Sequence, residues 1–290
     1  MSERRLQRRW VLAESDPHAG HKLGLCNPDA LILEPDNKQG IRVKPTLTEF
    51  QTYIWDLRQE YLNNVWTMTG YSPVVYFMAG DATHGKDHGE QLMASRQADQ
   101  RAIAKANAAP VLEQRNVKTA RLITGTGVHV FGEGSSEIDL CESLADKWPK
   151  KDIGVVHHGR PLIDGVRFDL AHRGPSGGSR WWLRGNTARY YLRDRMLDDM
   201  ALGKRPADVY LRGHYHVNIW ETLRMEWRGE MIESHLILLP SWCGLGDYAR
   251  GITGSTPKIT NGLYLFELRG GAVTVHPMTR TMDLRMEEEL

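Results

Sequence analysis

Cysteine is scarce in this chain: Cys26, Cys141 and Cys243 are the three among 290 residues. They are scattered and odd in number, which excludes a disulfide framework and a CxxC metal knuckle. Thiols of this kind suit a reducing compartment, so the expected location is the cytoplasm. Net charge is nearly lacking too, at +1. No global field draws the protein to a polyanion, and any such patch must be local. The opening MSERRLQRRW is basic, but no apolar segment follows it as in a secretory signal. No stretch approaches the ~20 apolar residues that cross a bilayer, so no membrane partner is expected. Repeats, low-complexity segments and linkers rich enough to divide the chain are lacking as well. The expectation is a single domain over 1–290, with 21–45 and 173–202 as candidate insertions flanking a site.

What is present is a soluble, globular composition, 41% hydrophobic and 25% charged. Apolar runs alternate with helical patterns. WVLAES, at 10–15, reads as a buried strand, and Ala30–Leu33 as a short one. In PTLTEFQTYIWDLRQEYLNNVW, Thr46 followed three residues later by Glu49 predicts a capping-box start. Phe50, Ile54, Leu57 and Tyr61 then share one helical face. Val74–Ala79 and ARLITG read as strands, 89–109 as a helix, and SSEIDLCESLADKW as a helix capped by Ser136. DIGVVHHG and GVRFDLAHRG read as two strands joined by a turn, and 179–202 as a helix. Further strands are expected at 236–239, 264–268 and 272–275. The pattern predicts an α/β domain, mixed sheets covered by helices.

A positional event recurs. Five apolar runs end in Gly, Asp or His: at Asp16/His18, at Gly80-Asp81, at Gly125 to His129, at His172, and at Gly213-His214-Tyr215-His216. Ligands of α/β sheets bind beyond the carboxyl ends of strands. Neighbouring strands would therefore gather two carboxylates and four or five imidazoles in one patch. Carboxylates at close range repel and are costly to desolvate; cations resolve both problems. The mixed oxygen and imidazole donors suit Mn, Fe, Zn or Ni better than Ca. In the extended segment Gly-His-x-His, residues two apart point the same way, so His214 and His216 can face one site while Tyr215 turns elsewhere.

The order Asp-x-His, Gly-Asp-x-x-His, Gly-Thr-x-x-His, a later His, then Gly-His-x-His resembles the calcineurin-like metallophosphoesterase family. The motifs run from Asp16 to His216, about two thirds of the chain. The resemblance implies a four-layer α/β/β/α sandwich around two divalent transition-metal ions, Mn first, with Fe, Zn or Ni as alternatives. It implies that Asp16, His18 and His216 hold one ion, that Asp81 bridges both, and that His172 and His214 hold the second. A water bridging the pair would attack phosphorus. The third motif departs from the family, which has Gly-Asn-His there. Thr126 stands in the Asn position and His129 comes two residues late. His129 is therefore either a replacement ligand or the general acid.

Several histidines compete for roles. His157-His158 also ends an apolar run, but the flexible Gly-Pro-Ser-Gly-Gly that follows His172 favours the latter. His84 and His88 hint at the HxHxDH site of metallo-β-lactamase-like hydrolases, but Lys86 breaks that spacing, which leaves His84 as a group that orients a ligand through a hydrogen bond. His21, His235 and His276 read as ordinary polar or packing residues. Residues 160–195 set eight arginines (160, 167, 173, 180, 184, 189, 193 and 195) against three aspartates, with Trp181, Trp182, Tyr190 and Tyr191 interleaved. Arg forks grip phosphate and aromatic faces stack on bases, which points to a nucleic-acid or nucleotide substrate bound through Arg173, Arg180 and Arg184. A packed or oligomer-forming face is the competing explanation. The Ala82-Thr83-His84-Gly85 stretch lacks the Asp-Arg-Gly of the family's protein-phosphatase branch. The expected function is a metal-dependent phosphoester hydrolase, a phosphodiesterase or nuclease. The alternatives are a phosphomonoesterase on small phosphates and a scaffold that keeps the fold without catalysis.

Overall fold

Strand β1 (Arg9–Glu14) sorts its side chains by alternation. Trp10 and Leu12 point into one core, Val11 and Ala13 into another, as the two-residue period of a strand dictates. The same split recurs in its neighbours. Tyr76 and Met78 of β4 (Val74–Met78) join Trp10, and Phe77 joins Val11. A strand apolar on both faces must be covered on both, and this requirement builds the molecule.

The computed structural model describes residues 8–33, 40–86, 91–129, 135–177, 185–246 and 258–285. The first sheet has six strands in the order β14-β13-β1-β4-β5-β6. Its other members are β5 (Val117–Ile123), β6 (Asp152–Val156), β13 (Lys258–Arg269) and β14 (Ala272–Asp283). Strands β1, β4, β5 and β6 run parallel, and β13 and β14 close one side antiparallel. The second sheet follows the order β11-β12-β10-β9-β7, with β8 also on β9. It comprises β7 (His158–Gly159), β8 (Leu162–Ile163), β9 (Val166–Ala171), β10 (Val209–Arg212), β11 (Ile219–Trp227) and β12 (Glu230–Leu238). Strand β10 lies parallel to both β9 and β12. A small ribbon pairs β2 (Ile32–Leu33) with β3 (Arg42–Val43).

Three cores follow. Val11, Phe77 and Phe266 of the first sheet meet Phe168, Leu170, Val209 and Leu211 of the second. On its other face the first sheet carries α1 (Glu49–Thr69), α2 (Gln97–Leu112) and α3 (Ser135–Lys147). The outer face of the second sheet packs Tyr210, Leu236 and Leu238 against Ala188, Leu192 and Met196 of α4 (Asn186–Ala201). No helix among the described residues is long and apolar enough to cross a membrane.

Some elements differ from the sequence expectation. The capping box of α1 is Thr48 with Gln51, not Thr46 with Glu49. The Gln51 side chain also donates to the carbonyls of His21 and Gly24, so a tertiary contact selects the later box. Ser136 lies inside α3, and its hydroxyl meets Thr83 Oγ1 instead of capping the helix. Helix α2 begins at Gln97, later than its composition suggests, and α4 is described from Asn186; 89–90 and 179–184 of the expected helices lie outside the described residues. Strands β6 and β9 do not form a hairpin. Strand β6 pairs with β5, β9 pairs with β10, and the chain crosses between sheets through β7 and β8.

Candidate metal centre

The parallel strands β1, β4 and β5 of one sheet and β9 and β10 of the other each run into a loop carrying Asp or His. The loops are laced together by backbone bonds. Asp16 N–H donates to Gly80 O (3.2 Å), His18 N–H to Asp81 O (3.1 Å), and Gly213 N–H to His172 O (2.8 Å). The backbone is strained where it does this. Among the described residues, seven non-glycine residues have positive φ, and Asp16, His18, Asp81, His214 and His216 are five of them. Each left-handed residue costs about 1–2 kcal/mol, and such conformations persist where surrounding structure enforces them.

The donor atoms form three groups, each with all ligand atoms within 4.8 Å of one another: Asp16 with His18 and His216, Asp81 with His172 and His214, and His18 with His84 and His129. In the first, His18 Nε2 and His216 Nε2 face each other at 3.0 Å, and His216 Nε2 lies 3.4 Å from Asp16 Oδ1. In the second, His172 Nε2 is 3.0 Å from Asp81 Oδ2 yet has no hydrogen-bond partner of proper geometry. The two atoms pair by charge when the ring is protonated, and with the ring neutral both lie within reach of one ion. His172 Nδ1 donates to Ala79 O at 2.6 Å, which leaves Nε2 as the ligand atom, the orienting device usual around ligating histidines. Oxygen and imidazole donors in this mixture suit a divalent transition metal. By atom type, convergence and orientation, the residues fit such an ion.

Electrostatics tie the groups together. Burial pushes Asp81 and Asp16 up, but the surrounding histidines outweigh it, His172 foremost for Asp81 and His18 for Asp16, and both carboxyls stay well below the usual range. Burial would depress His172, but Asp81 reverses this and pushes it up to about 9. Burial depresses His18 to about 3 and also lowers His214, so both are neutral and ready to donate a lone pair.

Thr126 donates its N–H (2.7 Å) and hydroxyl (3.1 Å) to Asp81 Oδ1, so it binds the carboxylate from behind. His129 groups with His18 and His84, not with Asp81, and its Nδ1 donates to His84 O at 2.6 Å. His84 Nδ1 is 3.4 Å from His18 Nδ1. A Cβ at Gly213 would stand 2.7 Å from Asp16 Oδ2, so a side chain there would displace the carboxylate. His157 bonds Thr124 and His158 bonds Asp169, and neither enters a donor group. His21, His235 and His276 contact Gln91, Thr222 and Trp10 respectively.

Of the arginine-rich stretch, Arg160 pairs with Asp199, Arg189 with Glu221 and Arg195 with Asp198. Much of that charge is thus spent within the fold. Arg173 is exposed next to His172, whereas Arg180, Arg184, Trp181, Trp182 and His88 lie outside the described residues. Sequence reading misses three supports of the centre. Glu14, at the end of β1, accepts a bidentate bond from the buried Arg58 (2.7 and 2.9 Å) and one from Tyr76 (2.6 Å). Ser15 bonds the Asp16 carboxylate. Glu137, wholly buried, accepts from Ala82 N–H at 3.1 Å, and burial pushes its carboxyl up to about 8. An acid inside the apolar run WVLAES is the one signal that announced any of them, because a buried charge needs a partner.

No family model matches the chain, and no curated protein matches it either. Among solved structures, a protein of unknown function from Aquifex aeolicus is 15% identical, with 72% of this chain and 81% of that one covered and a TM-score of 0.32. The sulfate thiohydrolase SoxB of Thermus thermophilus, solved in complex with glycerol, is 12% identical, with 95% of this chain covered and a TM-score of 0.38. This chain spans 56% of the length of that SoxB. Likenesses this distant carry no functional argument, and the chemistry has to be read from this chain's own side chains.

Proposed function

We propose that the protein is a dinuclear metal-dependent phosphoester hydrolase of the metallophosphoesterase type, built as a four-layer α/β/β/α sandwich. One observation carries the reading: among the described residues, five of the seven left-handed non-glycine residues are the donors at the ends of β1, β4 and β10. Strain of this kind is retained where geometry matters for function; Asp and His tolerate the left-handed region better than most residues, but that tolerance does not gather five such residues at the ends of three strands around one point.

Asp16, His18 and His216 would hold one cation, and Asp81, His172 and His214 a second. Two such cations supply positive charge for in-line displacement at phosphorus and lower the pKa of a water nucleophile. The protein's part is to aim the donors. Ala79 O fixes the His172 ring, Thr126 anchors Asp81, and Ser15 with the His214 N–H anchors Asp16. His129, half-buried beside His18 and locked through Nδ1 to His84 O, acts as the acid that protonates the leaving oxygen. A diester, in a nucleotide or nucleic acid, is the substrate class proposed, and the exposed Arg173 next to His172 offers a cationic grip on its phosphate.

The test is metal analysis followed by turnover of bis-p-nitrophenyl phosphate, p-nitrophenyl phosphate and single-stranded DNA with added Mn²⁺. Diester turnover lost in Asp81→Asn supports the proposal. Monoester turnover alone indicates a phosphomonoesterase, and bound metal without turnover a scaffold. Protein that takes up no metal under any condition refutes the centre.

A further inference from the structure

Glu137 stands beside the centre but belongs to none of its three donor groups. It occupies the first turn of α3 and has no solvent exposure. Its Oε1 accepts the Ala82 N–H at 3.1 Å, and its Oε2 has no hydrogen-bond partner among the described residues. Burying a carboxyl this way is costly. A negative residue in a helix's first turn also favours the helix dipole, but an exposed one would do so without the desolvation.

The position of Ala82 supplies the reason. It follows Gly80 (φ 96°) and Asp81 (φ 50°), two successive left-handed residues that carry the chain out of the β4 ladder. The adjoining Ser136 Oγ lies 2.5 Å from Thr83 Oγ1. Thr83 spends its one proton on His129 O at 2.8 Å, so Ser136 is the donor to Thr83. The first turn of α3 thus grips both residues after Asp81, while Thr126 N–H holds the Asp81 carboxylate from the other side.

We infer that Glu137 is a positioning residue of the metal centre: its carboxyl oxygen, held by the Ala82 N–H, fixes the strained Asp81 peptide so that the Asp81 carboxylate faces His172 and the second cation. This rests on the metal reading proposed above. What Glu137 contributes is a hydrogen-bond acceptor at a set reach, which an amide oxygen of the same length also provides.

The experiment measures Mn²⁺ affinity and stoichiometry by calorimetry on the full chain, with melting temperatures in EDTA as the folding control. Glu137→Gln keeps the acceptor and the reach but cannot ionise, and is expected to stay within about twofold of wild type. Glu137→Asp keeps the carboxyl but is one methylene too short, and like Glu137→Ala is expected to weaken the second cation by about 10- to 100-fold. Wild-type affinity in Glu137→Ala or Glu137→Asp overturns the inference, as does a loss in Glu137→Gln. A drop in EDTA melting temperature with no selective loss of the second cation also overturns it, since a merely structural role gives that result. Should Glu137→Ala fail to fold, the contrast between Gln and Asp decides. Wild type that binds no cation refutes the centre itself, and the role of Glu137 with it.

Discussion

Replacing Asp81 by Asn should collapse the ionisation of His172. In the wild type, burial opposes the imidazolium, but the Asp81 oxygen at 3.0 Å, helped by Asp16 and the Ala79 carbonyl, lifts its pKa to about 9. An amide at position 81 removes the largest stabilising charge, and burial, the opposing influence, then pulls His172 toward or below the ordinary histidine value of about 6.5. The expected fall is roughly two units or more, on the order of 3 kcal/mol between the two protonation states. Long-range proton–nitrogen spectra of histidine-labelled, EDTA-treated protein report each ring's titration directly, with His172→Asn supplying the assignment. The wild-type His172 ring should be protonated at pH 7, and the ring in Asp81→Asn neutral. A wild-type His172 that titrates near 6.5, or one that keeps its high pKa in Asp81→Asn, refutes the reasoning. The same ionisation means that a cation entering beside His172 at pH 7 must displace about one proton.

Other expectations follow from the same geometry. In EDTA, stability should peak near pH 6.5. His172, raised in the fold, loses its contribution as pH rises toward 9, and His18, depressed to about 3, loses its own as pH falls below 6.5; urea midpoints across pH 4–9 check this. At Gly125 an added Cβ would sit 2.5 Å from Asp81 N and against the carboxylate, whereas at Gly127 it meets nothing within 4 Å. Gly125→Ala should therefore lower Mn²⁺ uptake at least tenfold, and Gly127→Ala should leave it unchanged, as read by metal analysis. Arg58→Ala strands the buried Glu14 carboxylate and should cost about 3–5 kcal/mol, against less than about 1 kcal/mol for Arg224→Ala in the exposed pair with Glu233; denaturant unfolding distinguishes them.

The strands that end at the centre are legible because each is an apolar run broken by Gly, Asp or His, and burial on both faces enforces that composition. Strand β11 is less legible. Ile219, Leu223, Met225 and Trp227 alternate with Thr222, Arg224 and Glu226, so its one-sided period is diluted by charge. The β6-to-β9 segment looks like a hairpin because local pattern cannot say that its strands join different sheets. Thr46 and Thr48 each begin a plausible capping box, and the choice falls to Gln51's bonds to a distant loop. The roles of Glu137 and Arg58 depend on partners 55 and 44 residues away in the chain, and no spacing rule reaches them.

The same long range explains why the centre has no compact motif. The loops after β1 and β4, in the first sheet, supply Asp16, His18 and Asp81; those after β9 and β10, in the second, supply His172, His214 and His216. Each principal donor group therefore straddles the two sheets: Asp16 and His18 with His216, Asp81 with His172 and His214. His18 and His216 meet across 198 residues of sequence. What brings them together is the apolar layer of Val11, Phe77, Phe168 and Leu211 between the sheets. The carboxylates lie on one side of that layer's rim and most of the imidazoles on the other. A cation in either group would bond one sheet to the other, so the packing that assembles the donors would in turn be reinforced by an ion bound there.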